Sequence, residues 1–112
     1  MNSVQLVGRI GSLKLNETNG GVSVATLRVA TTNRVKRGES WEDATEWHTV
    51  VVWGKRAESL DRFLEKGDWI QVGGMLKTRE YESKKKERIQ VTEIHAQEAE
   101  LITMRRKTED EK

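Results

Sequence analysis

Residues 45–67 read "TEWHTVVVWGKRAESLDRFLEKG", and the period of their apolar residues changes partway. From Thr45 to Lys55 the stretch is rich in β-branched and aromatic residues, which suit a pleated, half-buried strand. Alternation puts Trp47, Thr49, Val51 and Trp53 on one face and His48, Val50 and Val52 on the other. Beyond Gly54 the spacing becomes helical. Ala57, Leu60, Phe63 and Leu64 fall on one side, charges fill the rest, and Gly67 is the stop. Two of the chain's four tryptophans thus share one strand face, in a sequence with one Tyr and one Phe. They lie roughly 20 Å apart at about 3.3 Å per residue.

On the N-terminal side, "VQLVGRIGSLKLN" (4–16) mixes apolar alternation with Gly8 and Gly11 and predicts a strand with a bulge or bend. "NGG" (19–21) is a turn signal. "VSVATLRVATTN" (22–33) alternates, with Ser23, Ala25, Leu27 and Val29 opposite Val22, Val24, Thr26, Arg28 and Ala30. "RVKRGESWEDA" (34–44) is polar and contains glycine, and reads as a long, mobile loop. On the C-terminal side, "DWIQVGGMLKTREY" (68–81) resumes strand character, "ESKKKE" is a charged hairpin tip, and "RIQVTEIHAQEAELI" (88–102) favours strand through its β-branched start. "TMRRKTEDEK" reads as a disordered tail. The domain is expected to span 1–103, with a flexible charged tail at 104–112. Three strands, one helix and two strands is the order of an all-β, five-stranded OB barrel, a fold that binds oligonucleotides or oligosaccharides on one face.

The 112 residues amount to one domain, with 35% hydrophobic and 34% charged residues. Such a thin core gains from oligomerisation. The absence of cysteine excludes disulfides and thiolate metal sites. No signal-peptide pattern and no apolar run of membrane-spanning length is visible, so a cytoplasmic protein with no membrane partner is expected. The formal charge of +2 is uneven: residues 1–38 carry six basic residues against Glu17 alone. "RVKR" (34–37) and the segment 77–88 are local basic clusters, readable either as nucleic-acid contacts or as solvated loops.

The pieces "NSVQLVGRIG", "NGGVSVATLRVATTN", "TEWHTVVVWGKRAE", "FLEKGDWIQVGGMLKTREY" and "RIQVTEI" follow one another along nearly the whole chain. Together they resemble the bacterial-type single-stranded DNA-binding protein family. The resemblance implies sequence-independent binding of single-stranded DNA in replication, recombination and repair, with no catalysis. Trp47 matches the stacking aromatic of the family's "TEWH". Trp53 stands where the family usually has a stacking Phe, and Tyr81 where it has another aromatic, commonly Trp. Lys55, Lys66, Lys77 and Arg79 match basic positions along the DNA backbone. Arg34, Lys36, Arg37 and Arg88 extend the basic set. His48 matches a histidine near a subunit contact, and family members are commonly homotetramers.

The sequence also departs from the family. The position where many members carry an aromatic after "ATS" or "ATT" is Val35 here, with Trp41 further along. Glu80 stands where a basic residue is common. The family's partners in replication and repair are recruited through an acidic tip containing Pro and Phe, and "TEDEK" supplies neither.

Stacking suits a protein that must coat arbitrary sequence, since every base has a π-face. Core burial is the competing reading of Trp47 and Trp53, because Trp is highly buried on average. Trp41 reads as a mobile contact or as a lid over an apolar patch. Trp69 is expected at a subunit interface. His48 has only His95 as a fellow histidine, so neither a metal site nor a cofactor is expected. "NGG" and "VGG" lack the spacing of a phosphate cradle, and no nucleophile–base motif is present. The alternative to a DNA coat is a primosome-type accessory protein of the same fold, a dimer serving mainly as a scaffold. An OB-fold nuclease is the third reading, which intact labelled oligonucleotide after incubation with Mg²⁺ would exclude.

Overall fold

The computed structural model describes residues 1–102. Its order is β1 (Val4–Glu17), β2 (Ser23–Arg37), β3 (Ser40–Trp53), α1 (Lys55–Phe63), β4 (Trp69–Glu82) and β5 (Arg88–Ile102). The strands close into a barrel in the order β1-β2-β3-β5-β4. Every pairing is antiparallel except the short β3–β5 contact, Val50↔Ile94 and Val51↔His95, which is parallel and closes the wall. This is the five-stranded OB arrangement with its helix between the third and fourth strands. The expected tail lies outside the described residues. Among those residues, no helix is long and apolar enough to cross a membrane.

The core follows the alternation. Ala25, Leu27 and Val29 from β2, Val50 and Val52 from β3, and Ile70 and Val72 from β4 are almost completely buried and meet inside the barrel. The expected bend in β1 is a register shift between Ile10 and Ser12. Ala57 and Leu60 of α1 close one end of the core. Behind them, Ser23 Oγ donates to Glu58 Oε2 at 2.7 Å and ties the helix to β2. Phe63 departs from the expectation. The helix ends at Leu64, which turns extended and packs on the core, so Phe63 is left outside at 59% exposure.

The larger correction concerns residues 34–44. They form no loop. β2 and β3 pair without a slip from Val24↔Trp53 to Arg37↔Ser40, making a two-stranded arm that continues well past the barrel. Gly38, with φ 64°, takes the first central position of a two-residue turn, where a type II′ hairpin needs positive φ. The polar composition that reads as a loop is that of a ribbon solvated on both faces. Its sides are laced by Arg34–Asp43 (3.7 Å) and Arg37–Glu42 (2.9 Å). The β4–β5 hairpin forms a second arm, tipped by the expected charged turn at Ser83–Glu87.

Candidate nucleic-acid interface

Inward alternation of Val50 and Val52 forces Trp47 and Trp53 outward, and they are 51% and 41% exposed. Val51, between them on the same face, is buried in the wall. The competing reading of these indoles as core therefore fails for both.

Each indole leans to a different side of β3. Trp47 reaches across β2 to β1 and lies over Gly11. A Cβ at Gly11 would stand 2.5 Å from Trp47 Cζ3. The Arg28 guanidinium is 5.8 Å from the Trp47 ring centre and donates to Thr49 Oγ1 at 3.2 Å. Trp53 leans toward β5 and meets His95 edge-on, 4.7 Å between ring centres. Gly11→Ala is accordingly expected to keep the barrel folded while displacing the Trp47 ring. Its loss of affinity for oligo-dT should approach that of Trp47→Ala. Normal affinity in Gly11→Ala would show that the seating of Trp47 on β1 is immaterial.

From His95 a connected row of groups runs across β5 to β4. His95 Nε2 lies 3.2 Å from Glu93 Oε1, and Arg79 donates from Nε and Nη2 to Glu93 Oε2 at 3.1 and 3.0 Å. Arg79 in turn sits 5.8 Å from the centre of the Tyr81 ring. Burial pushes the Glu93 carboxyl up, but the hydrogen bonds and charges of Arg79 and His95 outweigh it and hold the group below the usual carboxylate range. A buried carboxylate with a cation on one side is stable only when so satisfied. Glu93 thus links the footing of Trp53 to the footing of Tyr81, which is 45% exposed.

The face so assembled carries Trp47, Trp53 and Tyr81. Lys77 joins it opposite Glu93 in the ladder, and Arg34 and Lys36 lie further out on the β2–β3 arm. Arg37 and Arg88 fall on the reverse faces of the two arms by alternation. Arg88 pairs there with Glu80, whose carboxyl is lowered by the hydrogen bonds it accepts from Gln90 and from Arg88. Lys55 opens α1. Lys66 lies in the turn before β4, beside Ser12 and Asp61. His48 is half-buried at the root of the β2–β3 arm, with its Nε2 hydrogen-bonded to the Thr31 hydroxyl at 2.8 Å. Trp69 lies on the wall of β1 and β4, paired with Arg9, whose guanidinium is 4.9 Å from its ring centre. Trp41 is on strand β3 and not in a loop, 56% exposed and opposite Lys36. No group of three or more metal-ligating side chains is found among the described residues.

Sequence reading passed over Arg28, His95 and Glu93. The outward parity of Arg28 with Trp47 is visible in the alternation. The meeting of β5 with β3 depends on barrel closure, which leaves no local pattern.

A model of the single-strand binding protein family matches residues 1–102. "Single-stranded DNA-binding protein 3" of Listeria innocua is 39% identical over 103 residues, covering 91% of this chain and 64% of that protein. "Single-stranded DNA-binding protein A" of Bacillus subtilis is 36% identical over 103 residues, covering 91% of this chain and 59% of that one. With 54% of the Lactiplantibacillus plantarum protein covered as well, the chain spans little more than half the length of such relatives. Among solved structures, "Plasmodium falciparum SSB complex with ssDNA" superposes with a TM-score of 0.79 at 30% identity, covering 94% of this chain and 96% of that one. A deletion mutant of the single-stranded DNA-binding protein from Thermus aquaticus gives 0.81 at 24% identity over 94% of this chain and 52% of that one, a likeness of fold alone.

Proposed function

The chain belongs to the single-strand binding protein family, and from that premise we propose that it binds single-stranded DNA without regard to sequence. In this reading it coats and protects unwound strands in replication, recombination and repair, and performs no catalysis. The observation that carries the reading is the outward face on which Trp47, Trp53 and Tyr81 stand exposed with Arg28, Arg79 and Lys77 among them. Bases stack on the rings, and the cations track the backbone that joins those bases. Trp47 and Trp53 serve as two platforms, and Tyr81 extends the site onto the β4–β5 arm. The basic side chains Arg34, Lys36, Lys55, Lys66, Lys77 and Arg79 take the phosphates, with Arg37 and Arg88 secondary because they face the other way. The protein works in the cytoplasm, associated with the nucleoid.

The same proposal includes assembly into a homotetramer. Trp69 and the exposed Val7 on the β1–β4 wall, and the half-buried His48 at the arm's root, are the surfaces assigned to contacts between copies in this reading. One experiment addresses both parts: titration of intrinsic tryptophan fluorescence with oligo-dT, with mass measured by light scattering at micromolar protein. Strong quenching and a tetramer mass are expected. Unquenched emission with no mobility shift would sink the DNA reading, and a monomer mass would sink the assembly. A dimer mass would favour the scaffold alternative.

A further inference from the structure

The unbroken ladder between β2 and β3 carries the Trp47–Trp53 face outward onto the arm. Counting back by twos from Trp47, its next members on β3 are Thr45, Asp43 and Trp41. Those opposite them on β2 are Thr32, Arg34 and Lys36. Trp41 stands six residues before Trp47, as Trp47 stands six before Trp53, a repeat of roughly 20 Å at about 3.3 Å per residue. All three indoles are exposed, Trp41 the most at 56%.

The cation beside Trp41 is also distinctive. Arg34 and Arg37 on the arm are engaged by Asp43 and Glu42, whereas Lys36, directly opposite Trp41, has no ion pair among the described residues. A bare π-face next to an unengaged ammonium is what a base and its phosphate require. Val35, at the position where the family resemblance expects an aromatic, is paired with Glu42 and points to the reverse face. Trp41 therefore does not stand in for that missing aromatic. It lengthens the row that begins at Trp53.

We propose that Trp41 and Lys36 form a third single-strand subsite, in which the Trp41 indole stacks on a base and the Lys36 ammonium neutralises the adjoining phosphate. This rests on the single-stranded DNA reading above. The subsite lies beyond Trp47 along the arm, so only a strand long enough to pass both barrel platforms reaches it.

The test compares wild type, Trp41→Ala, Trp41→Phe, Lys36→Gln and Trp47→Ala on labelled oligo-dT of about 4 and about 16 nucleotides, the ends of the range for one OB fold. Light scattering and thermal melting are run on each protein. Trp41→Ala is expected to weaken binding of the longer strand by about five- to 150-fold, to leave the shorter within about twofold, and to leave mass and melting unchanged. Trp41→Phe should retain most of the affinity. Lys36→Gln should lower the salt slope by about 0.7, the loss of one phosphate contact. If Trp47→Ala weakens binding but Trp41→Ala binds the longer strand like wild type, the third subsite is overturned while the DNA reading stands. A change of mass in Trp41→Ala, with affinity kept, would overturn it as well and make Trp41 a contact between copies. Failure of the wild type to bind either strand would overturn the reading beneath the proposal, and the proposal with it.

Discussion

The Trp47→Ala/Trp53→Ala double variant is expected to bind oligo-dT roughly 30- to 20,000-fold more weakly than wild type. Each single truncation removes one stacked base, worth about 1–3 kcal/mol, or about five- to 150-fold. The two indoles stand roughly 20 Å apart, beyond the distance of about 7–10 Å within which substitutions usually couple, so their losses should add. The barrel should survive both changes. The rings are about half exposed, and the core is built from Val50 and Val52 on the opposite face of β3. Trp→Phe should cost less at either site because a π-face remains. Oligo-dT and mixed sequence should suffer alike, since stacking reads no base edge. Trp69→Phe is the control: it lies on another part of the wall, against Arg9, and should alter mass sooner than affinity. A folded, assembled double variant with undiminished affinity would show that these indoles serve something other than bases.

The two Trp positions were legible because strand alternation is a local rule with one consequence per residue. Once Val50 and Val52 are inside, Trp47 and Trp53 must be outside. The same rule set β1, β2 and β4 within a few residues, and the switch to helical spacing after Gly54 located α1; β5, whose residues also admit a helix, rested on its β-branched start alone. Helical spacing identifies a stripe but not where the stripe ends, so it counts Phe63 with the core although Phe63 stands outside. The chain leaves the helix at Leu64, and Leu64 takes the core position.

The β2–β3 arm was illegible for a different reason. A ribbon solvated on both faces has no apolar alternation to read, and its only strong local signal, Gly38, is shared by turns of every kind. What holds the arm is cross-strand pairing, reinforced by exposed ion pairs worth about 0–1 kcal/mol each. A loop has no faces, so only the observed pairing puts Trp41 on one face with Trp47. The Trp53–His95–Glu93–Arg79–Tyr81 row was hidden more deeply. Its residues come from three strands, and only closure of the barrel through the parallel β3–β5 contact brings them into line.

Raising salt fourfold should weaken binding of a long strand by at least about 50-fold, the share of Lys36, Lys55, Lys66 and Lys77 if each meets a phosphate at about 0.7 in slope apiece. These lysines have no ion pair among the described residues, whereas Arg34, Arg37, Arg79 and Arg88 each face a carboxylate. The distinction divides the expected variants. Lys77→Ala should lower the slope by about 0.7, because its ammonium is already free and lies on the face of the rings. Arg37→Ala and Arg88→Ala should leave the slope nearly unchanged, since both point to the reverse of their arms and are occupied by Glu42 and Glu80. Arg79→Ala should behave differently again. It removes a cation from the binding face and also leaves Glu93 with His95 as its remaining partner. A buried carboxylate stripped of its cation repels an approaching phosphate and loosens the footing of Tyr81. Affinity at low salt should therefore fall further in Arg79→Ala than in Lys77→Ala, while the slope changes by no more. An affinity independent of salt would rule out backbone tracking. A loss of slope in Arg88→Ala equal to that in Lys77→Ala would place the strand on the face away from the rings.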